Sequence, residues 1–269
     1  MTALATPHAH PITARPAGAI HDLRAIAGRA LRAVPRDLEV VVPPILIALF
    51  FFLVNVATLD KVVSGTVGHF DIKAFQMPTA ILIGVTGVSR APALVVDVQD
   101  GYFDRLLLTP VRRFAILVGH MCADVVVSCA LTIPILIVGF AIGVRFETGP
   151  LGLLLFVLMA GLWSLAFAGF GYAIALKTGN PAAVNTSFLL FFPFLFLTSS
   201  YVPRSQLTGW LHTVAAWNPV TYLLEGLRSL ALAGWHWDDL GKAFLAVLVV
   251  FLISFGLCFA ALRSRVNQR

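Results

Sequence analysis

Charge is what this sequence has least of. Only 12% of its 269 residues are Asp, Glu, Lys or Arg, while 59% are hydrophobic and the mean hydropathy is +0.90. A water-soluble domain carries about 25% charged residues. Too little polar surface is left to cover a globule in water, so the chain reads as an integral membrane protein. Cysteine is nearly absent too. Cys122, Cys129 and Cys258 all lie in apolar segments and none forms a CxxC pair, which leaves them as small apolar packers without a redox role. No G-x-x-x-x-G-K-[ST] occurs, so the chain does not cradle ATP phosphates. The absence of G-x-S-x-G, H-E-x-x-H and a paired-histidine ligand set means that neither catalytic residues nor metal ligands are expected. The net charge of +6 is not a nucleic-acid signature, because the basic residues are spread along membrane boundaries. Lysine is scarce against arginine, alanine and valine, the composition of a GC-rich bacterial genome, so the expected location is a bacterial plasma membrane.

What is present is a series of long apolar runs without the ten-residue alternation of barrel strands, so the expected fold is all-α and membrane-integral. Residues 1–19, interrupted by Pro7, Pro11 and Pro16, are expected as a disordered cytoplasmic tail. Residues 20–36 form an amphipathic pattern. Ile20, Leu23, Ile26, Leu31 and Val34 share one face and Arg24, Arg29, Arg32 and Arg36 take the other, which suits a helix in the headgroup layer. Residues 37–269 are expected as a six-span transmembrane domain with spans at about 40–59, 74–95, 114–144, 151–176, 183–201 and 242–262. Pro134 marks an expected bend in the third span. With the N-terminus inside, thirteen Lys or Arg fall on the cytoplasmic side and six outside, which places both termini in the cytoplasm.

The connection at 202–241 is too apolar for an open loop and too interrupted to span. Trp210, Trp217 and Tyr222 surround a break at Asn218-Pro219. It reads as a re-entrant outer hairpin of two short helices, tolerated in the outer leaflet only when packed on protein. Glu225 and Arg228, one turn apart, are placed to pair there. Ionisable residues within spans are few. Asp124 in the third span reads either as a transport group or as a structural partner of Arg90 or another polar neighbour. The phenylalanines of span five, Phe188 and Phe192 among them, either line a greasy conduit or face lipid. Small residues at Gly161, Ser164, Ala168, Gly169 and Gly171 predict close packing of span four.

The most charged internal stretch is Asp97 to Arg113, DVQDGYFDRLLLTPVRR. On a helix Asp97, Asp100 and Asp104 share one face, with Arg105 beside them, and Val98, Tyr102, Phe103 and Leu106 form an apolar one. Pro110 ends that helix. Two readings stand: a solvated loop, or a cytoplasmic helix that presents a protein-docking surface.

Six spans, the basic amphipathic helix, the block DGYFDRLLLTPVRR and the hairpin sequence NPVTYLLEGLR together resemble the membrane subunit of type 2 ATP-binding-cassette exporters, most closely the daunorubicin-resistance permease group. The resemblance covers about residues 20–262. It implies that the loop between spans two and three is a coupling helix docking on a separate ATPase, with Glu in relatives where this chain has Asp97 or Asp100. It further implies two ATPase subunits that carry ATP and Mg, a second permease chain, identical or similar, contact with membrane lipid, and an amphipathic drug, natural product or lipid as cargo. A polysaccharide or glycolipid exporter of the same superfamily would want a wider, more polar pathway with aromatic rings stacking on sugars. A proton-coupled secondary transporter would want internal repeats and midplane carboxylates, of which only Asp124 is present.

Overall fold

A computed structural model describes residues 28, 32, 38–67, 70–100, 113–189 and 191–267. Among these the regular structure is helical. Helix α1 runs Leu38–Val67, α2 Ile72–Thr86, α3 Ala91–Gln99, α4 Arg113–Ala141 and α5 Gly149–Thr178. Two short helices follow, α6 Pro181–Leu189 and α7 Phe191–Phe196, then α8 Gly209–Trp217, α9 Pro219–Arg228 and α10 Trp237–Asn267. The expected tail at 1–19 lies outside the described residues, as does the amphipathic segment 20–36 apart from Gly28 and Arg32.

Five stretches are long and apolar enough to cross a membrane: Val41–Asp60, Ile72–Val96, Val118–Ala141, Gly149–Thr178 and Trp237–Ser264. The expected span at 183–201 is occupied by α6 and α7, which form a shorter apolar stretch, Pro181–Phe196. That stretch still connects the two ends of the bundle. It leaves Gly179, whose carbonyl accepts from Gln99 Nε2 at the near end, and leads to Ser199, whose carbonyl accepts from Arg228 at the far end. The near end is thus where α3, α5 and α10 finish and α4 begins. Helix α4 continues through Pro134.

Helix α2 is the centre of the bundle, with nearly every residue buried, while α1 turns Leu46, Phe50 and Leu53 outward. Outward faces of α5 and α10 are equally apolar, with Leu151, Leu154, Leu248 and Leu252 exposed. In lipid such a surface costs nothing, and apolar burial between helices gains little. Association must come from close packing and polar contacts. Helix α5 supplies the first. A Cβ on Gly169 would lie 2.5 Å from Ser254 Oγ of α10, and one on Gly161 would lie 2.6 Å from Cys129 Sγ of α4. Ser164 and Ser128 add a buried hydroxyl pair at 2.6 Å between α5 and α4. The expected close packing of this helix is what its small residues produce.

The second apolar run, read as one continuous span over 74–95, is two helices. Pro92 has no N–H to give the carbonyl of Val88, and its ring crowds that carbonyl. Gly87 further weakens the helix just before it. The chain therefore leaves α2 at Gly87 and restarts at Ala91, where Pro92 sits in a first turn that needs no intrahelical donor.

Candidate functional site

Three features lie in sequence along the bundle. The first is the break between α2 and α3 at the near end. It exposes backbone groups inside an apolar bundle, where an unpaired N–H costs several kcal/mol. Asp124 of α4, fully buried, meets that need. Its Oδ1 accepts from Arg90 N–H at 3.0 Å, and its Oδ2 accepts from the hydroxyl of Tyr172 on α5 at 2.7 Å. The structure thus gives Asp124 polar partners, one of them the backbone of Arg90. Ser89 Oγ accepts from Ala91 N–H at 3.1 Å and completes the restart. Asp97 falls in the last turn of α3 and Asp100, exposed, in the turn after it. Tyr102, Phe103, Asp104, Arg105 and Leu106 lie outside the described residues.

The second feature is the far-end hairpin. Helices α8 and α9 meet at Asn218. The extended backbone of Asn218 ends one helix, its Oδ1 accepts from Val220 N–H at 3.0 Å, and Pro219 occupies the first position of the next. The other side of the same amide donates to Phe194 O at 2.6 Å and Leu197 O at 3.0 Å. One asparagine therefore caps α9 and holds the hairpin on the end of α7. Tyr222 hydroxyl donates to Ala216 O at 2.6 Å and closes the corner.

Glu225 and Arg228 do not pair with each other. Glu225 Oε2 lies 3.8 Å from Arg204 Nη1, and the Arg204 guanidinium stands 5.4 Å from the Tyr222 ring centre. Burial raises the Glu225 carboxyl above its ordinary range, and Arg204 pulls it back. Arg228 points inward instead. Nε donates to Phe75 O at 3.1 Å, Nη1 to Ser199 O at 2.7 Å and Ser199 Oγ at 3.3 Å, and Nη2 to Ser200 O at 3.1 Å and Thr79 Oγ1 at 3.2 Å. Its Cζ lies 3.5 Å from the Phe75 ring centre. The five donors of a guanidinium are all matched. Desolvation pulls its pKa down to about 9, so it stays charged at neutral pH. The expected pair fails because α9 packs Thr221, Leu224 and Arg228 against the bundle and leaves Glu225 half-buried beside Arg204.

The third feature joins the two ends. A groove of about 1710 Å³ runs between α5, α7, α9 and α10, from Lys177 and Ser264 at the near end to Trp217 and Lys242 at the far end. Its wall carries Phe167, Phe170, Phe191, Phe194 and Tyr222, and among the described residues no acidic side chain lines it. From Lys242 to Ser264 an α-helix rises roughly 33 Å, which matches the hydrocarbon thickness of a bilayer. Phe188 and Phe192 are outside this lining. Phe188 is set beside Gly87, and a Cβ there would lie 3.2 Å from its ring. Asp124 is likewise not in the lining.

A family model described as ABC-2 type transporter matches residues 21–232. The chain is 26% identical over 209 residues to a "Probable doxorubicin resistance ABC transporter permease protein" of Mycobacterium tuberculosis, an alignment covering 77% of this chain and 75% of that one. It is 27% identical over 238 residues to a "Daunorubicin resistance ABC transporter permease protein" of Streptomyces coeruleorubidus, covering 85% and 78%. A "Probable multidrug ABC transporter permease" of Escherichia coli is 24% identical over 203 residues, covering 74% of this chain and 54% of its own length.

Proposed function

Because the chain belongs to the ABC-2 type transporter family, as a membrane permease with drug-resistance permeases among its relatives, we propose that it exports an amphipathic drug, natural product or lipid from a bacterial cell. Two ATPase subunits on separate chains bind ATP and Mg and drive it. A second permease chain, identical or similar, completes the pathway. The near end is cytoplasmic, with both termini there, and α6 and α7 together make the fifth of six crossings. The stretch from Asp97 to Leu106 is the contact with the ATPase, and the α8–α9 hairpin dips into the outer leaflet without crossing.

The observation that carries the cargo class is the groove. It is apolar over the depth of a bilayer, walled by aromatic rings, and polar only at its ends. A sugar polymer would find few hydroxyl or amide partners along it, which counts against the polysaccharide reading. A proton-coupled mechanism would call on Asp124, but that carboxylate is engaged with Arg90 N–H and Tyr172. The test is co-reconstitution with the ATPase in proteoliposomes, using doxorubicin and a fluorescent phospholipid as probes. ATP-dependent movement of either probe supports the proposal. Movement driven by a proton gradient with no ATPase present would overturn it.

A further inference from the structure

We propose that Asp124 is a positioning residue for energy coupling, clamping α3 onto α5 so that a stroke delivered to the end of α3 reaches the groove wall through α5 rather than through α2. This rests on the reading of the stretch from Asp97 to Leu106 as the ATPase contact.

The backbone is the first argument. A force applied at the end of α3 has no continuous helix to follow into the centre of the bundle, because the ladder is interrupted from Gly87 to Arg90. Side-chain contacts are the second. Helix α3 is fastened at both ends to other helices. At its start Arg90 N–H is held by Asp124 of α4, whose second oxygen holds Tyr172 of α5. At its finish Gln99 Nε2 donates to the carbonyl of Gly179, the residue that caps α5, at 2.9 Å. Between these ties Ala91, Leu94 and Val95 form an i, i+3, i+4 stripe buried in a cluster with Met121, Ala168, Tyr172 and Leu176. One contact through Asp124 of α4 and two direct ones therefore bind α3 to the near half of α5, and a four-residue linker joins it to α2.

The consequence follows from what that half of α5 does elsewhere. Phe167, Phe170, Ile174 and Lys177 line the groove, while Tyr172 faces Asp124. Movement of α3 with α5 alters the groove wall directly. Asp124 does not line the groove, and its hydrogen bonds run to Tyr172 and Arg90 N–H.

The experiment uses the complex of the full chain with its ATPase in proteoliposomes. It measures ATPase docking, ATP hydrolysis and probe moved per ATP hydrolysed. Asp124→Leu removes both hydrogen bonds. Docking and basal hydrolysis should stay near wild type while transport per ATP falls at least fivefold. Asp124→Asn keeps an acceptor for Arg90 N–H and a donor for the Tyr172 oxygen, and should restore most of the ratio. Tyr172→Phe should fall between them. A residue with a merely structural role would lower the quantity of assembled complex and leave the ratio unchanged. If Asp124→Leu does not assemble, spin labels on the wild-type chain decide the matter. The distance between labels at Val96 and Asn180 should hold constant between ATP-free and ATP-bound states, while that between Val96 and Leu46 changes. A wild-type transport ratio in Asp124→Leu, or a Val96–Asn180 distance that changes as much as the Val96–Leu46 distance, overturns the clamp. Failure of the wild-type chain to bind any ATPase would instead overturn the function on which the clamp rests.

Discussion

Arg228→Met is the sharpest perturbation of the far end. Methionine matches the length of the arginine stem but removes five hydrogen bonds and a charge. Ser199 O and Ser200 O lie in irregular backbone and would each lose a buried donor, at about 1–3 kcal/mol for Ser199 O and less for Ser200 O, which keeps the Thr79 hydroxyl at 3.5 Å. The contact over Phe75 adds about 0.5–2 kcal/mol. Against this, methionine relieves the desolvation of a buried ion, which costs several kcal/mol when uncompensated. Here every donor is matched, so most of that cost is already offset, and a net loss of about 2–4 kcal/mol is expected. At roughly 2–4 °C per kcal/mol for a chain of this size, the unfolding midpoint in detergent should drop by about 4–16 °C. Arg228→Lys separates charge from geometry. An ammonium has three donors and cannot fork across Phe75, Ser199 and Ser200 together, so at least half of the loss should remain. The assay is thermal unfolding of purified chain, followed by intrinsic fluorescence. A midpoint for Arg228→Met equal to wild type would show that the buried guanidinium does not hold the hairpin. Full recovery in Arg228→Lys would show that charge alone suffices.

Asn218→Ala removes the cap on α9 and both bonds to the end of α7, and should destabilise by about 2 kcal/mol or more; Asn218→Asp, which keeps only the cap acceptor, should fall between in the same unfolding assay. Gly169→Val forces α5 away from Ser254 and should cost about 1–3 kcal/mol, with the loss reduced in a Gly169→Val, Ser254→Gly double variant. Phe103→Ala should weaken ATPase pull-down by about 2 kcal/mol if Phe103 is the apolar anchor of the docking surface, whereas the effect of Asp100→Asn should be smaller and shrink with added salt. Cysteines at Ser205 and Gly234, in a chain lacking native cysteines, should both react with an impermeant thiol reagent from outside intact cells; labelling of only one would turn the hairpin into a span.

What the sequence makes legible here is set by periodicity and punctuation. The runs that became α1, α4, α5 and α10 are long enough to be read from length alone. The break at Asn218-Pro219 is visible because asparagine and proline each have a specific helix-end role. The close face of α5 is visible because glycine, alanine and serine cluster on it. The break before α3 is hidden because proline is common in membrane helices. Its signal was Gly87 and Pro92 bracketing Ser89-Arg90, a polar pair inside an otherwise apolar run. The turn of Arg228 into the bundle is hidden for another reason. Spacing along α9 brings Glu225 within reach, but the choice of partner depends on where Phe75, Thr79 and Ser199 stand, and these are distant in the chain. The phase of α6 and α7 is unreadable in principle. A helix that is apolar all round does not declare which phenylalanines face a groove, so Phe188 and Phe192 stood out equally with Phe191 and Phe194.

Several of the buried polar side chains of this bundle sit where helices stop. Asp124 holds the amide at the α2–α3 break, Asn218 holds carbonyls at the end of α7, Arg228 holds the carbonyls of Ser199 and Ser200, and Thr148 Oγ1 donates to Leu230 O at 2.7 Å beyond α9. Each satisfies a backbone group that hydrocarbon would leave unpaired at a cost of several kcal/mol. Such contacts are what permit the breaks, and they also fix where the breaks can bend. Between them α5 and α10 remain unbroken through the depth of the groove, packed closely through Gly169 against Ser254. The helix ladder is thus interrupted at two places that polar side chains hold together. One lies at the junction of α2 and α3, and the other beneath the hairpin at the opposite end.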